Sequence, residues 1–302
     1  MEIKNTNNKP ILSVMMPVHE GEMFLEETLN CVLNQSFRDF EFVILDNQSE
    51  DNSQKIIKSF QEKDQRIKYI YDTKKRNGND CFSELIKYVS GKYLIILNDD
   101  NYLDNNFFKK IFKKIHNTQS DLVVSNGWYT DEFRNNKKKF FKNKIYFRGK
   151  PSIYKIINFF LKGDVIPLLL PTIVLRETFK KMLPYLNLSK FENDADTLMG
   201  VKILSNLKIE AHDELLFFCR IYDSHERYHE SKPKLGSFFK YDIIEKIKHD
   251  LNLLSHCIKE IYLSKISYFS KIILIIFFPF LLIMKRLKNI LYEFMVKIKN
   301  LI

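Results

Sequence analysis

Glycine and proline are scarce in this 302-residue chain, at eight each. The turn after the first apolar run, "PVHEGEMF", holds a single glycine, which speaks against a glycine-rich loop wrapped around a phosphate. Cysteine is rarer still. Cys31, Cys81, Cys219 and Cys257 lie far apart and form no C-x-x-C pair, so neither a zinc site nor a disulfide framework is expected. Reduced, structural thiols in a cytoplasmic protein are the simplest reading. The opening "MEIKNTNNKP" is polar and gives no sign of a signal peptide. Long apolar runs are missing as well. The longest, Ile272–Met284, is uncharged for thirteen residues, short of the roughly 20 that a spanning helix needs.

Hydrophobic residues make up 45% of the chain, enough for a sizeable core. The net charge of +11 suggests an anionic partner, and its placement narrows the choice. Residues 131–150 carry eight Lys/Arg against two acids, and residues 271–302 carry six against one. Those two segments account for the whole excess. The rest is balanced, which excludes a protein whose main body coats nucleic acid.

The first 130 residues alternate between two periods. "ILSVMM", "FEFVIL", "RIKYIY", "KYLIIL" and "DLVVSNGWY" read as strands. Between them, "EMFLEETLNCVLNQ", "DNSQKIIKSFQEK", "CFSELIKYVS" and "NNFFKKIFKKI" have helical spacing, with Asp51 or Ser49 able to cap the second helix. Such alternation predicts right-handed β-α-β units and a mostly parallel sheet. After Gly149, "PSIYKIINFFLKG" and "DADTLMGVKILSN" look helical, "PTIVLR" and "ELLFFCRIY" look extended, and the chain from about Phe238 onward is helical.

Ligands of such sheets bind at the carboxyl ends of the strands. Polar clusters stand at three of these ends: Pro17–Glu20, Asp46–Asp51 and Asn98–Asn101. The third contains the adjacent acids Asp99 and Asp100. A solvated turn would explain them alone. A hard divalent cation, Mn2+ or Mg2+, would also explain them, because it offsets their repulsion and bridges to a diphosphate.

Three segments together resemble the inverting sugar-nucleotide transferases of glycosyltransferase family 2, over roughly Leu12 to Tyr222. "LSVMMPVHE" resembles that family's opening strand and turn. "NQSFRDFEFVILDNQSEDNS" is similar to its Q-x5-E-(apolar run)-D-D-G-S-x-D segment, and "GKYLIILNDDNYLD" to its G-x-Y-(apolar run)-D-x-D segment. Asp99-Asp100-Asn101 matches the Asp-Asp-Asn form found in spore-coat polysaccharide-type members. The resemblance implies a GT-A fold, α/β and Rossmann-like, with a mixed, mostly parallel sheet flanked by helices. It implies that Pro17, Val18 and His19, with Glu20 beside them, line the nucleobase pocket, that Asp46 accepts a hydrogen bond from the base, that Asn47 next to it also belongs to the nucleotide-sugar site, and that Asp99 holds the ribose. Asp100 would be the direct metal ligand, while Arg76, or its neighbour Lys75, would approach base or phosphate. Asn47 and Gln48 depart from the family's frequent Asp and Gly, and His19 from its Tyr. His19 could equally be a packed core histidine.

An inverting transfer also needs a general base to take the acceptor's proton. "FENDADTLMGVKIL" is similar to the family's Glu-Asp before an apolar helix, which makes Asp194 the base, with Glu192 and Asp196 as rivals. Asp194 could instead simply cap that helix. In "FFCRIYDSHERYH", His225 is a weaker candidate for metal or diphosphate, and His229 is less well placed.

The expected organisation is a nucleotide-sugar half (1–130), an acceptor half (131–235) and a helical, basic and apolar tail (236–302). In residues 271–302, Pro279 is expected to break the apolar run. The Lys/Arg-rich stretch after it suggests peripheral contact with the inner face of the cell membrane. A core helix pair or a dimer interface is the alternative. The expected activity is hexose transfer from a UDP- or dTDP-sugar to a glycan or lipid-linked acceptor, in synthesis of a bacterial surface polysaccharide or lipooligosaccharide. The rival from another class is a catalytically silent nucleotide- or glycan-binding relative. The missing glycine loop argues against a sugar nucleotidyltransferase. The missing Gln-x-x-Arg-Trp motif, with Trp128 the only tryptophan, and the missing transmembrane bundle argue against a processive synthase.

Overall fold

A computed structural model describes residues 9–135, 137–140, 150–162, 172–186, 195–221 and 243–299. The chain divides into two compact units. The first comprises residues 1–145, 166–187 and 208–231, and the second 146–165, 188–207 and 232–302.

Among the described residues, the first unit holds nine strands in one mixed sheet, in the order β3-β2-β1-β4-β8-β6-β9-β5, with β7 paired to β6. The strands are β1 (Leu12–Val18), β2 (Phe40–Asp46), β3 (Ile67–Tyr71), β4 (Tyr93–Ile96), β5 (Tyr102–Leu103), β6 (Leu122–Thr130), β7 (Lys138–Lys139), β8 (Thr172–Leu175) and β9 (Ile209–Arg220). β1 is flanked by β2 and β4, both parallel to it. All of β2 and nearly all of β1 are buried, as near-continuous apolar runs in a parallel sheet require. The helices of this unit are α1 (Leu25–Leu33), α2 (Ser53–Gln61), α3 (Gly78–Leu85), α4 (Phe107–Thr118) and α6 (Arg176–Leu186). The apolar face of α4 packs through aromatic contacts: Phe112 meets Phe37 at 4.7 Å and Tyr93 at 5.3 Å between ring centroids.

The β-α-β reading holds from β1 to β4. Beyond it, the structure adds what the sequence left out. β8 inserts antiparallel between β4 and β6, so the fifth strand of the series is not β4's neighbour. The short β5 pairs antiparallel with β9, and α6 follows β8 without a break.

Two polar residues of the Q-x5-E segment prove architectural. Gln35 is fully buried; its amide donates to the Asp104 carbonyl at 2.7 Å and accepts from the Phe108 N–H at 3.1 Å, tying α1 to the start of α4. Glu41 reaches across the sheet to accept from the Ser13 hydroxyl at 2.6 Å, the Gly91 N–H at 3.1 Å, Ser90 and Lys68. Gly91 has no space for a side chain, since a Cβ would sit 2.7 Å from the Ser13 nitrogen. Burial pushes the Glu41 carboxyl up, but Lys68, Ser13 and Ser90 together hold it below the usual glutamate value. Its contribution to stability is therefore complete above pH 4.5 and lost as pH falls through its lowered value. Glu41→Gln is expected to cost about 2 kcal/mol in urea unfolding at pH 7. The difference from the parent chain should shrink steadily below pH 4.5, and a pH-independent difference would refute this account.

The second unit is helical: α5 (Ser152–Lys162), α7 (Ala195–Asn206), α8 (Ile243–Leu263) and α9 (Tyr268–Lys299). α5 packs on α7 and α9, and α8 on α7 and α9. Gly200 of α7 meets the Phe159 ring where a Cβ would come within 2.3 Å, and Lys202 pairs with Glu260 at 2.6 Å. Pro279 does not break the apolar run as expected, because α9 passes through it as one 32-residue helix. An internal proline costs about 3 kcal/mol. Burial of Leu274, Phe278, Leu281 and Leu282 on both sides of Pro279, at roughly 1.5–3 kcal/mol each, outweighs that cost.

Candidate active site

The chain runs from β1 outward through β2 to β3, then returns to place β4 on β1's other side. That reversal makes the carboxyl ends of β1 and β4 a topological switch point, where α/β sheets open a crevice for ligands. The three polar clusters meet there. Val18 lies beside Asp46 in register, and the Asn47 N–H donates to the Val18 carbonyl at 2.8 Å. Past β4, the Asp99 carboxylate accepts from the His19 N–H at 3.4 Å.

The loops after β1 and β2 are laced together. Glu20 N–H donates to the Ser49 hydroxyl at 3.1 Å, and Gly21 N–H to the Ser53 hydroxyl at 2.9 Å. Asp51 accepts from the N–H groups of Glu22 and Ser53, both at 2.9 Å, so it serves the start of α2, although Asn52 is the formal cap and makes no side-chain cap bond. Glu20 and Gln48 adopt left-handed backbones, with φ of 54° and 61°.

Asp46 is fully buried and already engaged, accepting from the Ser49 N–H at 2.8 Å and the Tyr69 hydroxyl at 2.9 Å. Asn47 clamps the backbone of Arg76, accepting from its N–H at 2.8 Å and donating to its carbonyl at 2.9 Å. The Arg76 guanidinium turns to Asp72 and, at 2.9 Å, to Glu84. Lys75 is exposed. Pro17 and His19 are half-buried, and the Nδ1 of His19 is enclosed without a hydrogen-bond partner.

Asp99 and Asp100 form the turn after β4. Burial pushes the Asp99 carboxyl up to about 8, and the adjacent Asp100 adds to the shift. Asp100 is 4% exposed, and its Oδ1 accepts from the Asn101 amide at 3.0 Å. Thr28 supports the turn from α1, with its hydroxyl 2.8 Å from the Asp99 carbonyl. This donor set suits a hard divalent cation. Two crowded carboxylates gain most from one, and hard cations select oxygen. Among the described residues, no group of three or more His, Cys, Asp or Glu could hold a metal alone. A pair of carboxylates agrees with Mg2+-type coordination, in which substrate phosphates and water complete the shell.

The residue that sequence reasoning missed is Arg220. Only 2% exposed, it ends β9 beneath the diaspartate turn. Its Nη1 donates to the Asp100 carbonyl at 2.5 Å, its Nε to the Glu132 carbonyl at 3.0 Å, and its Nη2 pairs with Glu27. The guanidinium also lies 4.3 Å from the Phe24 ring centroid. Its one signal was position: an arginine closing an apolar strand in "FFCRIY". Asp194, Glu192, His225 and His229 lie outside the described residues, whereas Asp196 falls in the first turn of α7.

The comparisons with known proteins agree with this geometry. The chain is 27% identical over 272 residues to the uncharacterized glycosyltransferase MJ1057 of Methanocaldococcus jannaschii, covering 88% of each. It is 28% identical over 130 residues to the GalNAc(5)-diNAcBac-PP-undecaprenol beta-1,3-glucosyltransferase of Campylobacter jejuni, covering 41% of this chain and 42% of that one. In fold it resembles S. aureus TarS 1-349 in complex with UDP-GlcNAc, with a TM-score of 0.63 at 17% identity, over 86% of this chain and 69% of the other. The family described as Glycosyl transferase family 2 matches residues 13–178, more than half of the chain. With its motifs set around a switch-point crevice of the GT-A fold, this chain belongs to glycosyltransferase family 2.

Proposed function

We propose that the chain is an inverting, metal-dependent transferase that moves a hexose-type sugar from a UDP-sugar, or a dTDP-sugar, to a glycan or lipid-linked acceptor during bacterial surface-glycan synthesis. The observation that carries this reading is the approach of the Asp99 carboxylate to the His19 N–H at 3.4 Å, which joins the ends of β1 and β4 at the switch point. Residues 1–130 would bind the donor and 131–235 the acceptor. Pro17, Val18, His19 and Glu20 would border the base. Asp46 already receives two hydrogen bonds, and its remaining lone pairs allow a third, from the base N–H. That N–H is present in uracil and thymine. Asn47 would hold the loop that carries Arg76. Arg76, paired with Asp72 and Glu84, would shape the pocket wall.

Asp99 would orient the ribose, and Asp100 would hold Mn2+ or Mg2+. Bound there, the ion supplies charge neutralisation for the departing diphosphate. Asp194 would take the proton from the acceptor hydroxyl as it attacks the anomeric carbon from the opposite face. The named acceptor of the Campylobacter relative, an undecaprenol diphosphate, supports a lipid-linked acceptor. Residues 271–302 would then bring the enzyme to the cytoplasmic face of the membrane.

A thermal-shift screen of UDP-, dTDP- and GDP-sugars, with and without manganese, tests the donor. Saturating UDP-sugar with metal should stabilise the fold by about 3 kcal/mol, and neither alone should match it. No shift with any nucleotide would favour the catalytically silent relative. Asp194→Asn should slow transfer by about 10²–10⁴-fold and leave donor affinity unchanged. Unchanged turnover in that variant would remove Asp194 as the base.

A further inference from the structure

Helix α9 has two apolar faces, and its own unit uses one of them. Leu274, Phe278, Leu281 and Leu282 are buried, and the Phe278 ring meets Phe160 of α5 edge-on at 4.8 Å. The other face carries Phe269, Ile272, Ile276, Phe277, Phe280 and Ile283, between 40% and 74% exposed. Their spacing of mostly three and four residues sets them along one side of the helix. The sequence continues the same spacing through Leu287, Ile290 and Phe294. At the α8–α9 corner, Tyr262, Leu263 and Tyr268 are also exposed, and so are the cations Lys259 and Lys265.

A soluble protein rarely leaves a contiguous apolar stripe of this kind uncovered. Charge identifies the cover. Residues 271–302 hold six Lys/Arg and one acid. A second copy on this face would set two such cationic segments against each other, whereas an anionic lipid surface would neutralise them. Among the described residues, no helix is long and apolar enough to cross a membrane. A long helix with an apolar stripe, cationic flanks and tyrosines at one end lies in the interface plane instead. We propose that the exposed face of α9 docks on the surface of an anionic phospholipid bilayer, with Phe269, Ile276, Phe277 and Phe280 entering the boundary between headgroups and acyl chains. The proposal rests on the reading of 271–302 as the membrane-contact segment and specifies the side chains that make the contact.

The test is co-sedimentation of the full chain with vesicles, without donor or acceptor. Vesicles with about 30% phosphatidylglycerol should bind it at least about tenfold more tightly than pure phosphatidylcholine, and high salt should weaken the binding. Ile276→Ser, Phe277→Ser and Phe280→Ser combined should lower binding at least about tenfold with an unchanged thermal midpoint, since no core contact is removed. Should that variant lose its thermal transition, Phe269→Ser alone makes the same comparison. Equal binding by variant and parent, no binding to anionic vesicles, or a parent dimer that the substitutions dissociate would each overturn the proposal. Because no sugar nucleotide is present, failure here leaves the transferase reading intact, and a failed transfer assay leaves this one intact.

Discussion

Asp100→Asn is expected to slow sugar transfer by at least about 100-fold and to leave the fold in place. Asparagine keeps the side-chain oxygen that accepts from the Asn101 amide at 3.0 Å, so the turn after β4 retains its internal bond. What it loses is the charge. A metal ion that stabilises a developing anion contributes several kcal/mol to the transition state, and each 1.36 kcal/mol is a factor of about ten in rate. The thermal midpoint should stay within about 2 °C of the parent without ligand, because the oxygen that holds the turn is kept. The manganese-dependent part of the UDP-sugar stabilisation should vanish. Transfer at the parent rate would sink the assignment of Asp100 and the metal reading with it.

The second large effect falls on stability. Arg220→Ala removes the guanidinium that bonds the Asp100 and Glu132 carbonyls and pairs with Glu27. It leaves a cavity under the diaspartate turn and two carbonyls without their donor, while Glu27 keeps its pairing with Arg134 at 2.8 Å. Breaking such a buried network costs about 3–5 kcal/mol, which for a domain of this size corresponds to a fall of about 10 °C in midpoint. Arg220→Lys should recover only part of it, since an ammonium on a flexible stem cannot reproduce the fork that reaches three partners. If Arg220 only held the core together, the turnover that remains in the lysine variant, assayed well below its midpoint, would equal the parent's. An expected drop in kcat with little change in KM would mark it as the residue that positions Asp100. Equal stability of the alanine variant would show that the network contributes nothing.

The contrast between Asp100 and Arg220 shows what the sequence could reveal. Asp99 and Asp100 were legible because an apolar strand ended abruptly in two acids, and that pattern is local. Arg220 draws its meaning from Glu27, Asp100 and Glu132, which are remote in sequence or belong to unpatterned loops. The same division runs through the fold. β1 to β4 follow from alternating periods and short connections. The insertion of β8 between β4 and β6 depends on antiparallel pairings that no period announces. α6 went unread because "RETFKKMLPYL" mixes charges with a proline near its end. Gln35, Glu41 and Gly91 were recognised as motif residues, yet their work is to join α1 to α4 and to lock the start of β4 against β1. A motif therefore mixes residues that meet the ligand with residues that hold the first kind in place.

Gln48 stands in the loop after β2 with a left-handed backbone. At φ 61° it occupies a backbone region that disfavours side chains, at the position where the family often has glycine. The strain costs about 1–2 kcal/mol. Glycine would relieve it but would loosen the unfolded chain by about 0.4–1 kcal/mol. The two nearly cancel beside a total stability of about 5–15 kcal/mol. Gln48→Gly is therefore expected to leave the folding free energy within about 1 kcal/mol of the parent in urea unfolding.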